Sequence, residues 1–200
     1  NINYADHCVG LILDALNNSR YKDNTIVILW GDHGWHFGEK LSYRKSKLWE
    51  ESTRVPFMIS VPGITKPGSR SKRVVNLIDI YPTLLDLCDL PRKETNEGRS
   101  ITSVLKNPSI DWPYPSLTTM GYGNHAIRSE NWRYIQYEDG TEELYDKRSD
   151  PMEWSNLASK EQYVDIKQEL KKWIPGVNNR IRMKEIGKRG QRKKVVTGLY

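Results

Sequence analysis

Two shortages, of cysteine and of long apolar stretches, bound what this chain can be. Cys8 and Cys88 are the only cysteines among 200 residues, too few for a disulfide-stapled scaffold. Each sits in an apolar helical pattern, around Val9-Gly10-Leu11-Ile12-Leu13 and Leu84-Leu85-Asp86-Leu87, so both are expected in the core. No apolar run reaches the roughly 18–20 residues that a membrane-spanning helix requires. There is no initiator methionine and no signal-peptide pattern; the opening Asn1-Ile2-Asn3-Tyr4 reads as a start within a fold. No internal repeat is visible, and phenylalanine is scarce, with two against seven Trp and eleven Tyr. Trp and Tyr are the amphipathic aromatics suited to half-wet surfaces and ligand clefts.

Charge of one sign is not spread over the chain. The formal net charge is +6, which would suit a polyanion partner if it were distributed. It is concentrated between Asn178 and Lys194, where Arg180, Arg182, Lys184, Lys188, Arg189, Arg192, Lys193 and Lys194 face one acid, Glu185. The remainder is close to neutral, so no nucleic-acid partner is expected for the folded body. Hydrophobic residues make up 37%, enough for a buried core.

From about Tyr4 to Asn17, apolar residues at Cys8, Val9, Ile12, Leu13 and Leu16 keep the three-and-four spacing of a helix with one buried face. Turn residues Asn17-Asn18-Ser19 and Lys22-Asp23-Asn24 follow, then the β-branched run Thr25-Ile26-Val27-Ile28-Leu29-Trp30. An apolar run without alternation predicts a strand covered on both faces, as in a parallel sheet. Phe57-Met58-Ile59-Ser60-Val61, framed by Pro56 and Pro62-Gly63, predicts a second strand. A helix is expected over 76–88, stopped by Pro91.

From about Pro108 the texture changes. Strands are expected near Leu117–Met120, His125–Arg128, Trp132–Tyr137 and Glu142–Tyr145, with tight turns between them, and an amphipathic helix over Lys160–Trp173. The expected organisation is an α/β domain over 1–107, a small antiparallel-sheet-plus-helix unit over 108–176, and a basic tail over 177–200.

The chemistry concentrates where the first strand ends, at Gly31-Asp32-His33-Gly34. A carboxylate and an imidazole at the carboxyl end of a strand stand where open α/β sheets place their ligands. The flanking glycines would let the backbone turn so that both side chains address one ion. The plain alternative is a helix-capping Asp and a surface His. Downstream, 43–57 returns several cations before the next strand. A lysine beside a divalent metal would supply positive charge to the oxygens of a sulfate or phosphate ester; on its own such a cluster reads as a solvated loop, and its coupling to Asp-His at the end of a buried strand makes it a site candidate.

Taken together, Thr25-Ile26-Val27-Ile28, Gly31-Asp32-His33-Gly34-Trp35-His36-Phe37-Gly38-Glu39-Lys40, Lys45, Glu50 and Arg54-Val55-Pro56 resemble the second signature block of type I sulfatases, in the alkaline-phosphatase superfamily and its iduronate-sulfatase-like branch. Val61-Pro62-Gly63, Asp79-Ile80-Tyr81-Pro82-Thr83-Leu84, Glu97-Gly98-Arg99-Ser100, Asn124-His125-Ala126-Ile127-Arg128, Glu143-Leu144-Tyr145-Asp146 and Asp150-Pro151-Met152-Glu153-Trp154-Ser155-Asn156-Leu157-Ala158 continue the resemblance in order, over about residues 2–175. It implies the C-terminal portion of an alkaline-phosphatase-like sheet domain. It implies Asp32 and His33 as ligands of one Ca²⁺, with the other ligands outside this chain, and Lys45 as the sulfate-contacting amine, with Lys47 its competitor. His36 and His125 are candidate substrate contacts, each with a packing or structural role as the alternative. Glu50 and Arg54 are expected to pair with each other.

The family's nucleophile is a formylglycine made within a Cys/Ser-x-Pro-x-Arg motif, which this sequence does not contain; Cys88-Asp89-Leu90-Pro91-Arg92 has the residue types at the wrong spacing. The resemblance therefore implies a sulfatase piece that needs the remaining part for turnover. Sulfated carbohydrates would be the substrates, and a periplasmic, secreted or lysosome-like location would follow. A phosphonate or phosphodiester hydrolase of the same superfamily, and a non-catalytic polyanion binder acting through the basic tail, are the alternatives.

Overall fold

The computed structural model describes residues 1–176, so the basic tail lies outside the described residues. Helix α1 (Ile2–Asn17) ends where Asn18 turns back: its backbone N–H and side-chain amide both reach the Asp14 carbonyl, at 3.0 and 2.9 Å. That occupies a carbonyl which a helix end leaves open. The expected apolar stripe is not covered, since no residue of α1 is buried and Ile12 is 70% exposed. Cys8 is half-buried, and Cys88, expected in the core, is exposed just beyond the last turn of its helix.

Strand β1 (Val27–Trp30) does not enter a parallel sheet among the described residues. It pairs antiparallel with β4 (Phe57–Ser60), Ile28 opposite Ile59 and Leu29 opposite Met58. Nor is it covered on both faces, for Leu29, Trp30 and Met58 are all exposed. An apolar run reports a capacity for burial; the covering surface must come from elsewhere. Between these strands lie the short hairpin β2 (His36–Phe37) and β3 (Tyr43–Arg44), and the one-turn helix α2 (Glu50–Thr53).

Helix α3 (Ile80–Leu87) is entered through a 3₁₀ turn, Leu77–Asp79. The turn forms because the buried Asp79 carboxylate accepts the Asn76 N–H at 2.8 Å, one arm of a reciprocal capping box. Its other oxygen accepts Arg99 N–H at 2.8 Å, tying the helix start to the segment before α4 (Thr102–Lys106).

The second half is a four-stranded meander, β5 (Ser116–Thr119), β6 (His125–Arg128), β7 (Trp132–Gln136) and β8 (Glu142–Asp146), in spatial order β5-β6-β7-β8. Strand periodicity sorts its side chains to two faces. Ile127, Tyr134 and Leu144 stand opposite one another across three strands and pack with Ala158 and with Leu170 of α5 (Val164–Lys171). On the other face Ala126, Ile135 and Tyr145 pack against Leu48, which is 2% exposed. Burying each large apolar side chain stabilises by about 1.5–3 kcal/mol, so the loop carrying Leu48 is anchored to this sheet. The sheet is thus covered by α5 on one side and by the 45–53 segment on the other.

Candidate functional site

The Asp-His turn follows β1 directly. Gly31 donates its N–H to the Pro56 carbonyl at 3.1 Å, and Gly34 donates to Ser52 at 2.9 Å, so the turn is stitched to α2 on the far side of the loop. Neither glycine has a left-handed backbone. Gly34 is needed for approach instead: a Cβ there would stand 1.9 Å from the Glu51 carbonyl oxygen, which packed backbone does not allow.

Within the turn, Asp32 extends its carboxylate into solvent, 85% exposed, and its Oδ2 lies 3.5 Å from Nε2 of the partly covered His33. His33 Nδ1 is 2.8 Å from the Gly34 carbonyl. A carbonyl only accepts, so Nδ1 is the donor here and, in the neutral ring, Nε2 is left with its lone pair. Lys45 Nζ lies 2.8 Å from that nitrogen and donates to it. The structure therefore brings Asp32, His33 and Lys45 together, across twelve residues of chain. Lys47 is exposed and makes no hydrogen bond or ion pair among the described residues.

All four residues open onto one large cavity of about 1460 Å³, whose walls also include Arg54, Arg70 and Arg99. Cations outnumber carboxylates along it, which favours anionic ligands. Trp35 is exposed beside the turn, its ring 6.2 Å from that of His33.

His36 and His125 are placed differently. His36 is wholly buried, edge-on to Trp49 at 5.9 Å, and neither ring nitrogen has a hydrogen-bond partner among the described residues. His125 is 2% exposed; its Nδ1 meets Thr119 Oγ1 at 2.9 Å, and burial lowers its pKa. It shares the sheet face of Ile127, the side covered by α5. Neither histidine borders the cavity that holds Lys45.

The expected Glu50–Arg54 pair is not formed. Arg54 is exposed, whereas Glu50 Oε2 meets Arg128 Nε at 3.0 Å and the guanidinium of Arg133. Burial by itself raises the Glu50 pKa; Arg133 and Arg128 outweigh it and hold the carboxyl down at about 2. Arg128 and Arg133 stand opposite each other on β6 and β7, a like-charge neighbour pair that is unfavourable until a carboxylate sits between them. These two arginines were not legible as site-building residues. The one available signal was strand alternation, which puts Arg133 on the face of the core residue Ile135.

Whether these residues suit a divalent ion can be tested on the donor set. Asp32 and His33 present an oxygen and an unprotonated nitrogen toward the same point, which fits two positions of a metal shell. Among the described residues no cluster of three or more His, Cys, Asp or Glu could hold an ion, and Ca²⁺ takes about 6–8 ligands. This chain fits as a contributor to a shell, not as the whole of it.

Residues 1–90 match the family model described as Sulfatase. A sulfatase of Formosa agariphila is 42% identical over 178 residues, 88% of this chain and 35% of the relative. An ulvan-active sulfatase of the same organism is 31% identical over 82% of this chain and 35% of its own length. Arylsulfatase K of Gallus gallus is 31% identical over 87% of this chain and 35% of its own length. The chain spans about a third of the length of these relatives. Among solved structures, BT4656 in complex with its substrate D-glucosamine-2-N,6-O-disulfate superposes with a TM-score of 0.77 at 26% identity. That match covers 86% of this chain and 37% of that one. The phosphonate monoester hydrolase of Agrobacterium radiobacter shares the fold, with a TM-score of 0.74 at 24% identity over 84% of this chain and 37% of its own. The α/β fold, with its antiparallel sheets and helices, is that of sulfatase structures. The arylsulfatase K match points away from the iduronate-sulfatase-like branch.

Proposed function

Because the sulfatase family, of the alkaline-phosphatase superfamily, is supported by family model, sequence relatives and solved structures, we propose that the intact protein is a sulfuric ester hydrolase. In this reading it acts on sulfated carbohydrates by a calcium-assisted, formylglycine-dependent mechanism. This chain contributes Asp32 and His33 as metal ligands and Lys45 as the sulfate-facing amine. The observation that carries the proposal is that Lys45 Nζ and Asp32 Oδ2 both approach His33 Nε2, at 2.8 and 3.5 Å, at the end of β1.

The chemistry follows from charge. As a sulfate ester breaks, negative charge grows on the bridging oxygen, and preorganised positive groups lower that barrier most when water is held away. A bound divalent cation would supply Lewis acidity and fix the sulfate oxygens. Asp32 supplies an anionic oxygen for it. His33 is oriented for the same task, since the Gly34 carbonyl holds the proton on Nδ1 and keeps Nε2 available. Lys45, adjacent, would release His33 and donate to a sulfate oxygen instead. The nucleophile is expected from the Cys/Ser-x-Pro-x-Arg motif outside this sequence. Sulfated sugars are favoured because the ulvan-active relative and the glucosamine-disulfate complex go with a large, cation-lined cavity.

The test is sulfate release by the intact protein, measured by ion chromatography with sulfated mono- and oligosaccharides. Release that is abolished when the formylglycine precursor is replaced by Ala supports the proposal. Preferential hydrolysis of phenylphosphonate or a phosphodiester would replace it with the other hydrolytic activity of this fold.

A further inference from the structure

We propose that Glu153, with Arg133, is a positioning residue for the Lys45 loop: from the segment that follows β8 it grips both ends of the 40–50 segment and so sets the amine against the Asp32–His33 turn. The inference rests on the sulfate role of Lys45 given above.

The loop does not hold itself. Lys45 lies between Arg44 at φ 71° and Ser46 at φ 66°, left-handed conformations that L-residues other than Gly, Asn and Asp seldom adopt. Such geometry persists when the surroundings impose it. Lys45 itself is exposed, so the imposing contacts must lie to either side.

Both sides lead to Glu153. On the far side of the loop, the Glu50 N–H donates to Glu153 Oε2 at 3.0 Å. On the near side, Lys40 Nζ donates to the Glu153 carbonyl oxygen, and to Tyr145 Oη at 3.0 Å. The ammonium also lies over the rings of Trp49 and Tyr145, 4.8 and 4.7 Å from their centroids, a favourable cation–π arrangement. Glu153 has φ 62° and is 1% exposed. A left-handed backbone at this non-glycine residue turns its carboxylate and its carbonyl toward the same loop.

Arg133 completes the grip. It donates to the Leu48 carbonyl at 2.8 Å and to Thr53 Oγ1 at 3.0 Å, and meets the Glu50 carboxylate. Its Nε is 2.7 Å from Glu153 Oε1 but off the N–H axis, an ion pair without a hydrogen bond. Lys147 Nζ lies 3.0 Å from the same oxygen. The path from sheet to site then closes through the Gly34 N–H on Ser52. One rigid connection therefore fixes the Asp-His turn and the lysine loop together, which is what a site needing near-ångström placement requires.

The experiment uses the intact protein and two readouts, amide exchange over 45–53 and the kcat and KM of sulfate release. In Glu153→Gly/Lys147→Met, glycine suits the left-handed backbone, and removing one cation with one carboxylate keeps the cluster's net charge. We expect at least about tenfold faster exchange over 45–53, with β6 and β7 unchanged. We also expect kcat to fall about 10–100-fold while KM moves less. Glu153→Gln, which retains a neutral acceptor for the Glu50 N–H, should lie in between, and it carries the test if the double variant does not fold. Wild-type exchange over 45–53 in a folded variant would overturn the inference, as would uniform loosening of the whole sheet or an unchanged kcat with a loosened loop. If the wild-type protein releases no sulfate at all, the sulfatase reading has failed, and the exchange measurement still decides whether Glu153 holds the loop.

Discussion

The N–H of Gly34 donates to the carbonyl of Ser52 at 2.9 Å, and at this closest point a methyl group on Gly34 would fall inside the backbone of Glu51. The Asp32–His33 turn and α2 are one packed unit because position 34 has no side chain.

Gly34→Ala should therefore act through displacement, since the contacting atoms are backbone and cannot rotate away. We expect destabilisation of about 1–3 kcal/mol or more, seen as a lower Tm of the intact protein. Activity should fall further than stability, because α2 must shift relative to Lys45. A variant with unchanged Tm and turnover would show that the close approach does not constrain the site.

Lys45 and Lys47 face the same cavity, but only Lys45 touches His33. Lys45→Met should reduce kcat/KM by about 10²–10³-fold, the range for removing one preorganised donor at a developing charge. Lys47→Met should change it by less than about tenfold. Equal effects of the two replacements, measured on one sulfated substrate, would reject the assignment of Lys45.

Asp32 offers a hard anionic oxygen that, among the described residues, pairs with no Lys or Arg and lies 3.5 Å from His33 Nε2. Asp32→Asn and His33→Ala should each weaken calcium binding, by no less than the about 10–100-fold seen when mere supporting partners of metal ligands are lost. Elemental analysis after dialysis, with and without a chelator, gives the occupancy directly. Full stoichiometric calcium in both variants would mean that these two residues are not ligands.

Acid should loosen the clamp through Glu50. Its folded-state pKa is about 2 against an ordinary 4.5, a depressed value, so the carboxylate contributes stability that is complete above about pH 4.5 and lost as pH falls toward 2. The shift corresponds to about 3 kcal/mol, and the side chain is only 13% exposed, so solvent screening takes little of it. Glu50→Gln should be less stable at pH 6 yet lose less stability between pH 5 and 2. Parallel Tm-against-pH curves for the two proteins would contradict this.

Much of the local structure was readable from residue order. The meander strands β5 to β8 fall where turn residues and β-branched runs placed them, because pleat periodicity and tight-turn chemistry are local. Helix 76–88 was expected as one piece and is a 3₁₀ turn leading into α3, with the capping Asp79 doing the joining. Burial was read less well: Leu29, Ile12 and Cys88 have core-like surroundings in sequence and stand exposed, since a pattern records which face would be buried and not what lies on it.

What the sequence determined by itself is the set of parts: an Asp-His pair after an apolar strand, an amine in the next loop, and a family resemblance that implies roles to be tested for them. What only the tertiary structure decided is which parts meet. It selected Lys45 over Lys47 beside His33, gave Glu50 to Arg133 and Arg128 instead of Arg54, and put His125 on the far face of the sheet. The Glu50 contacts join side chains 78 and 83 residues apart in the chain. Coulomb attraction and hydrogen bonding act through space, and no periodicity in the chain records them.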